Sequence, residues 1–124
     1  MKILLSIKPE YAEKIFNGEK CFEFRKAIFS EPNVDTVVVY ATLPVGKVIG
    51  EFKIADVHTG DPQDIWRKTQ GKSGITKSFF SEYFKGRTKA YAIEVGERIV
   101  FDAPRSVREF IGRDTPPQSF AYVK

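Results

Sequence analysis

A chain of 124 residues with 42% hydrophobic and 29% charged side chains can bury a core without staples, which excludes a disordered chain and predicts one domain over residues 1–124. No apolar run approaches the thickness of a bilayer, and the start MKILLSIKPE lacks the length and small-residue cleavage site of a signal peptide, so the expectation is a cytoplasmic protein with no membrane partner. One cysteine, Cys21, and one histidine, His58, leave no internal disulfide and no Cys/His zinc site, so no metal and no cofactor is expected.

In chain order, MKILLSI is an apolar run suited to a buried strand. KPEYAEKIFNG follows as a short helix, with Pro9 near its start, Gly18 just past its end, and Tyr11, Ala12, Ile15 and Phe16 along one stripe. EKCFEFRK predicts the second strand and DTVVVYAT the third, while KVIGEFKIADV predicts a fourth with Val48, Phe52 and Ile54 on one parity. GDPQDIWRKTQ predicts a helix capped by Asp61 with Pro62 in its first turn, and ITKSFFSEYFKG a second amphipathic helix closed by Gly86. TKAYAIEV and ERIVF read as two nearly contiguous strands. PRSVREFIG opens a turn or two of helix on a capping box of Ser106 and Glu109, and DTPPQSFAYVK is irregular, then extended. Helices interrupt the strands only after the first and the fourth. That pattern predicts an α+β fold, a small mixed or antiparallel β-barrel with helices packed over its openings.

The net charge of +4 is unevenly spread. Between Trp66 and Lys89 stand Arg67, Lys68, Lys72, Lys77, Lys85, Arg87 and Lys89 against one acid, Glu82, which leaves the rest of the chain mildly acidic. Such a segment is either a solvated lysine-rich surface or a face for a polyanion. Trp66 stands beside Arg67 and Lys68, where stacking and phosphate contacts would cooperate, although a lone Trp on a short helix is more often core. Tyr11, Tyr40, Tyr83, Tyr91 and Tyr122 are further stacking candidates, and Phe22, Phe24, Phe79 and Phe80 are expected in the core.

In NGEKCFEFRK the aromatics Phe22 and Phe24 alternate with Glu23 and Arg25, so the two charged side chains leave one face of a strand with Cβ atoms roughly 7 Å apart. Phe22 and Phe24 are expected to face the barrel core. Lys20 has the other parity and can join the charged pair only from the turn after Gly18 or through a bulge. Arg25 is a planar fork for phosphate or a carbonyl edge. Lys20 is a point charge or, if desolvated, a nucleophile or base; Glu23 could orient it, shuttle a proton, or accept from a base amino group such as that of cytosine. The bland alternative is a surface ion-pair network.

SIKPEYAEKIFNGEKCFEFRK is similar to the opening of the ASCH domain, a relative of the PUA fold, whose signature Gly-x-Lys-x-x-Glu-x-Arg directly follows the first helix. Here those residues are Gly18, Lys20, Glu23 and Arg25. The resemblance continues through YATLPVGKVIGEFKI and FFSEYFKGRTKAYAIEV, to about Phe101. It implies a PUA-like β-barrel with the signature charges in a cleft, and a role in binding RNA or nucleotides. Some relatives are amidohydrolases acting on acetylated cytidine nucleosides; others are linked to ribonuclease activity or to transcriptional coactivators. The amidohydrolase branch carries threonine at the position of Glu23, and its further catalytic carboxylate has no counterpart near Thr69 or Gly71.

The leading expectation is therefore binding of RNA or a nucleotide-containing ligand by Lys20, Glu23 and Arg25, with Lys8, Trp66, Arg67, Lys68, Lys72 and Lys77 in support. The rival is a small hydrolase, an amidohydrolase or a ribonuclease, with Lys20 as reactive group and Glu23 beside it. A protein-interaction module using the same surface is the third reading, and Gln118, Ser119 and Tyr122 offer the groups for a lid over the cleft. GKSGITKS lacks the earlier glycine of a phosphate loop, since Trp66 stands there, and a Cys21–His58 dyad would be opposed by Glu23 on the parity of Cys21.

Overall fold

The apolar runs pair into one mixed sheet that curls into a half-barrel. The computed structural model describes residues 1–124. Its elements are β1 (Lys2–Ile7), α1 (Pro9–Asn17), β2 (Phe22–Arg25), β3 (Thr36–Ala41), β4 (Lys47–Gly60), α2 (Pro62–Thr69), α3 (Lys77–Tyr83), β5 (Ala90–Arg105), α4 (Arg108–Ile111) and β6 (Phe120–Tyr122). The strand order is β2-β5-β4-β3-β1-β6. Only β1 and β3 are parallel, Leu4 standing beside Val38; their connection is long enough to hold α1 and β2, as a parallel crossover demands. The α+β, barrel-like expectation holds.

Three apolar clusters follow from this topology. Ile3, Leu5, Ile7, Val37, Val39, Phe52, Ile93 and Val95 fill the concave side of the sheet, and α1 closes it with Ala12 and Ile15. On the convex side, Leu4, Val38 and Val48 pack under Val107 and Ile111 of the α4 segment. Phe24, Ala90 and Ala92 pack under Ile65, Phe80 and Phe84 of the α2–α3 pair. Strand parity sorts β1 cleanly, its odd residues inside and Leu4 outside.

Several local expectations need correction. Phe22 and Phe24 do not face the barrel core: Phe24 pairs with Ala92 under α2 and α3, while Glu23 pairs with Ile93 and so lies on the core side. The strand is an edge whose two faces are both covered, so parity alone cannot say which is inside. The two strands expected after Lys89 are one strand of 16 residues, and β4 continues to Gly60 because its register shifts repeatedly against β5 and bends it along the curl. Ser106 and Glu109 form no reciprocal cap; Val107 is the N-cap of α4 and the Glu109 amide donates to the Ser106 carbonyl at 3.3 Å. No helix is long and apolar enough to cross a membrane.

Candidate functional site

Lys20 is reached through the turn that ends α1. Gly18 takes a left-handed conformation there, and the amide of Lys20 donates to the Lys14 carbonyl at 3.0 Å. The side chain therefore leaves before the pleat of β2 begins, and it joins Glu23 and Arg25 at one cavity. That cavity, about 200 Å³, is lined also by Ser6, Ile7, Lys8, Tyr11, Phe24, Ile75, Phe79 and Tyr83. Because β2 is the sheet edge, residues of both its parities reach the mouth.

Lys20 is only 2% exposed. Its Nζ donates to the Ser73 carbonyl at 2.8 Å and lies 4.7 Å from the centroid of the Phe24 ring and 5.6 Å from that of Tyr11. Burial lowers its pKa from 10.5 to about 8; the carboxylate of Glu23 works against this, and Lys14 and Arg25 add to it. The ammonium is thus held by a carbonyl and two ring faces. Gly74 makes that seat possible. Its φ is +71°, and a Cβ on it would fall 2.5 Å from the Cβ of Lys20.

Glu23 Oε2 accepts from Arg25 Nη2 at 3.0 Å, and the same nitrogen reaches the Ser6 carbonyl at 3.0 Å. Arg25 Nε is buried with no partner. An orphaned donor of this kind costs about 1–3 kcal/mol. Ser6 is fixed in turn by the C-terminal segment, its Oγ donating to the Pro117 carbonyl at 2.5 Å and its amide to the Ser119 carbonyl at 3.3 Å.

The mouth is aromatic. Tyr11 and Phe79 have centroids 5.6 Å apart, and Phe79 and Tyr83 lie near-parallel at 6.4 Å. Burial, as the first cause, raises the pKa of both phenols, and Glu23 adds to each, so they remain neutral donors. Phe79, expected in the core, is among the exposed apolar side chains at this rim.

The other expected residues separate. Lys8 lines the Lys20 cavity. Trp66, Arg67 and Lys77 line a different cavity between α2 and α3, and Lys68 and Lys72 line neither. Gln118, Ser119 and Tyr122 line neither cavity; Ser119 acts through its carbonyl on Ser6, and the Tyr122 hydroxyl accepts from the Glu31 amide at 3.4 Å. Cys21 and His58 do not pair. Cys21 Sγ is 3.6 Å from Arg98 Nη2, and His58 Nε2 is 2.8 Å from Glu94 Oε1. Asp56, His58 and Glu94 do offer three metal-ligand atoms within 4.8 Å of one another, a mixed carboxylate–imidazole group on the face of Phe22 that the sequence reading did not consider. The sequence reading also missed Ser6, Ser73 and Gly74; the turn composition of KSG was the one signal for the latter two, and Ser6 sits within the apolar run of β1.

The family model of the ASCH domain matches residues 5–99. A large ribosomal subunit protein uL22 of Ureaplasma parvum is 32% identical over 123 residues, covering 98% of this chain and 39% of that protein. An ATP synthase subunit alpha of the same species is 30% identical over 123 residues, which are 15% of its length. The chain thus spans less than half of either relative. An ASCH domain-containing ribonuclease of Zymomonas mobilis is 28% identical over 126 residues, covering 98% of this chain and 83% of the relative. The crystal structure of ASCH from Zymomonas mobilis superposes with a TM-score of 0.89 at 28% identity, over 99% of this chain and 87% of that one.

Proposed function

The chain belongs to the ASCH domain family, and from that premise we propose that it binds single-stranded RNA by drawing one base into the cavity of Lys20, Glu23 and Arg25. The observation that carries this reading is the Glu23–Arg25 pair in the cavity wall, carboxylate and guanidinium 3.0 Å apart. A carboxylate acceptor next to guanidinium donors matches a base edge that carries both an amino group and a carbonyl, as cytosine and guanine do. A volume of about 200 Å³ takes a base rather than a whole drug-sized ligand. Tyr11, Phe79 and Tyr83 supply ring faces at the mouth, the usual means of holding an unstacked base. Lys8 adds an exposed positive charge for the backbone, and Lys20 a fixed charge beneath the base.

The test is binding of a labelled mixed-sequence single-stranded RNA to wild type and to Lys20→Met and Arg25→Met, with folding checked by circular dichroism. Loss of affinity in both variants is expected; unchanged binding in both rejects the cavity as the RNA site.

Hydrolysis is the second reading, favoured by the lowered pKa of Lys20 and by the ribonuclease name of the Zymomonas relative. With a pKa of about 8, roughly a tenth of Lys20 is neutral at pH 7 and able to take a proton from a nucleophile. Turnover of RNA, or of acetylated cytidine, by wild type but not by Lys20→Met would establish it.

A further inference from the structure

On the side of α3 away from Lys20 lies a larger, open groove of about 560 Å³, lined by α2, α3 and the residues flanking them. α3 is a partition: Phe79 and Tyr83 face the Lys20 cavity, and Lys77, Phe80, Ser81 and Phe84 face the other. The floor there is aromatic, with Trp66 and Phe80 centroids 5.0 Å apart at 49°. Three cations stand on its rim. Arg67 is paired with Asp64 at 2.7 Å, but no side chain of the protein answers Lys77 or Arg87. The acid at the mouth, Asp61, is engaged as the N-cap of α2, accepting from the Asp64 amide at 3.0 Å. Gln63 and Ser81 supply neutral hydrogen-bonding groups.

We propose that the α2–α3 cavity is a second nucleotide subsite for the same RNA strand, taking a base against Trp66 and its phosphate against Lys77 and Arg87. The proposal rests on the RNA reading above and adds a place for a second nucleotide. Its size falls within the range of ligand pockets, about 300–1,000 Å³. An aromatic floor with unneutralised cations at the rim fits a flat ring that carries a phosphate better than it fits an apolar or acidic side chain alone. One helix thickness, about 10–12 Å with side chains, separates the two cavities, so a strand that fills both passes over α3. Binding at one then raises the effective concentration at the other.

Trp66 is the sole tryptophan, so emission excited at the red edge, beyond the absorption of the five tyrosines, reports on this cavity. The full chain is titrated at low salt with cytidine monophosphate, cytidine, inorganic phosphate, oligoglutamate and a short single-stranded oligoribonucleotide. The monophosphate should quench Trp66 more strongly than cytidine, phosphate or oligoglutamate, and Lys77→Ala/Arg87→Ala should weaken that quenching about tenfold or more. The quenching by monophosphate should persist in Lys20→Met. The oligonucleotide should bind at least about tenfold tighter than the monophosphate, and that advantage should shrink in either variant. Oligonucleotide binding that depends on Lys20 and leaves Trp66 fluorescence unchanged overturns the second subsite and leaves the first reading intact. Trp66 quenching with no effect of Lys20→Met on oligonucleotide affinity does the reverse. Equal quenching by oligoglutamate shows a general anion surface and overturns the nucleotide assignment.

Discussion

The ammonium of Lys20 and the backbone carbonyl of Ser73 lie 2.8 Å apart across a sequence separation of 53. The turn after α2 is thereby fastened to the buried cation of the site. The tightness of that seat sets Gly74 apart from Gly71, earlier in the same connection, and from Gly86, beyond α3.

At Gly74 a methyl group would meet Lys20 at 2.5 Å and the residue would also be strained at φ +71°. Gly74→Ala should therefore destabilise the protein by about 2–4 kcal/mol, with Lys20 displaced. Gly86 is left-handed with open space around it, and Gly71 has open space and no positive φ. Gly86→Ala should cost about 1 kcal/mol, and Gly71→Ala should be neutral or slightly stabilising. Urea unfolding of the three variants measures this order.

The pKa of Lys20, about 8 against 10.5, gives stability a defined pH dependence. Below pH 8 the amine is charged in both folded and unfolded chains, and the folded state bears the full cost of burying it. Between pH 8 and about 10.5 the folded chain has lost the proton and the unfolded chain keeps it, so this group raises stability as pH rises. The full swing is on the order of 3 kcal/mol. Unfolding free energies of wild type minus Lys20→Met, followed from pH 7 to 10, should move in favour of wild type. RNA affinity should move the opposite way, falling as pH rises through 8 in wild type and staying flat in Lys20→Met.

Glu23 and Arg25 share a partly enclosed ion pair at 3.0 Å. Removing one partner leaves the other charge uncompensated, so Glu23→Ala should cost on the order of 3 kcal/mol. The double variant Glu23→Ala/Arg25→Met should be more stable than the sum of the single changes implies. A double-mutant cycle by chemical denaturation reads the coupling.

Reading of a base edge by this pair should discriminate. Homopolymers of cytosine or guanine carry both an amino group and a carbonyl; uracil lacks the amino group and adenine the carbonyl. Competition by oligocytidylate should exceed that by oligouridylate or oligoadenylate by about tenfold, the effect of one good bidentate contact at 1–3 kcal/mol. Glu23→Gln should narrow the gap. Equal competition by all three would show that the cavity does not read bases.

The alternation of Phe22, Glu23, Phe24 and Arg25 was enough to place the two charges together, and Gly18 was enough to explain how Lys20 escapes their parity. What the alternation could not decide was which face is interior. β2 carries aromatics under α2 and α3 on one side and an ion pair at the barrel mouth on the other, and both are buried enough to look alike in sequence. The partners of the charges were illegible for a different reason. Ser6 and Ser73 contribute backbone carbonyls, which carry no residue preference and arrive from distant parts of the chain. The basic segment read as one patch because linear sequence hides that α3 turns Lys77 to one cavity and Tyr83 to another.

The Val123 amide donates to the Lys2 carbonyl at 3.0 Å, and Ile3 stands opposite Tyr122 in the sheet. Entry and exit of the polypeptide thus lie side by side on antiparallel neighbours. A unit built this way can be spliced into a surface loop of a host protein without forcing the host's flanking segments apart, or hung from either end of it, at little architectural cost. The same pairing ties that freedom to the chemistry. β6 and the residues just before it hold Ser6, whose carbonyl receives Arg25. Ser6 is also held by its pairing with β3, so a graft that frays the C-terminal end removes only the Pro117 and Ser119 holds, and it should blunt the site before it unfolds the barrel.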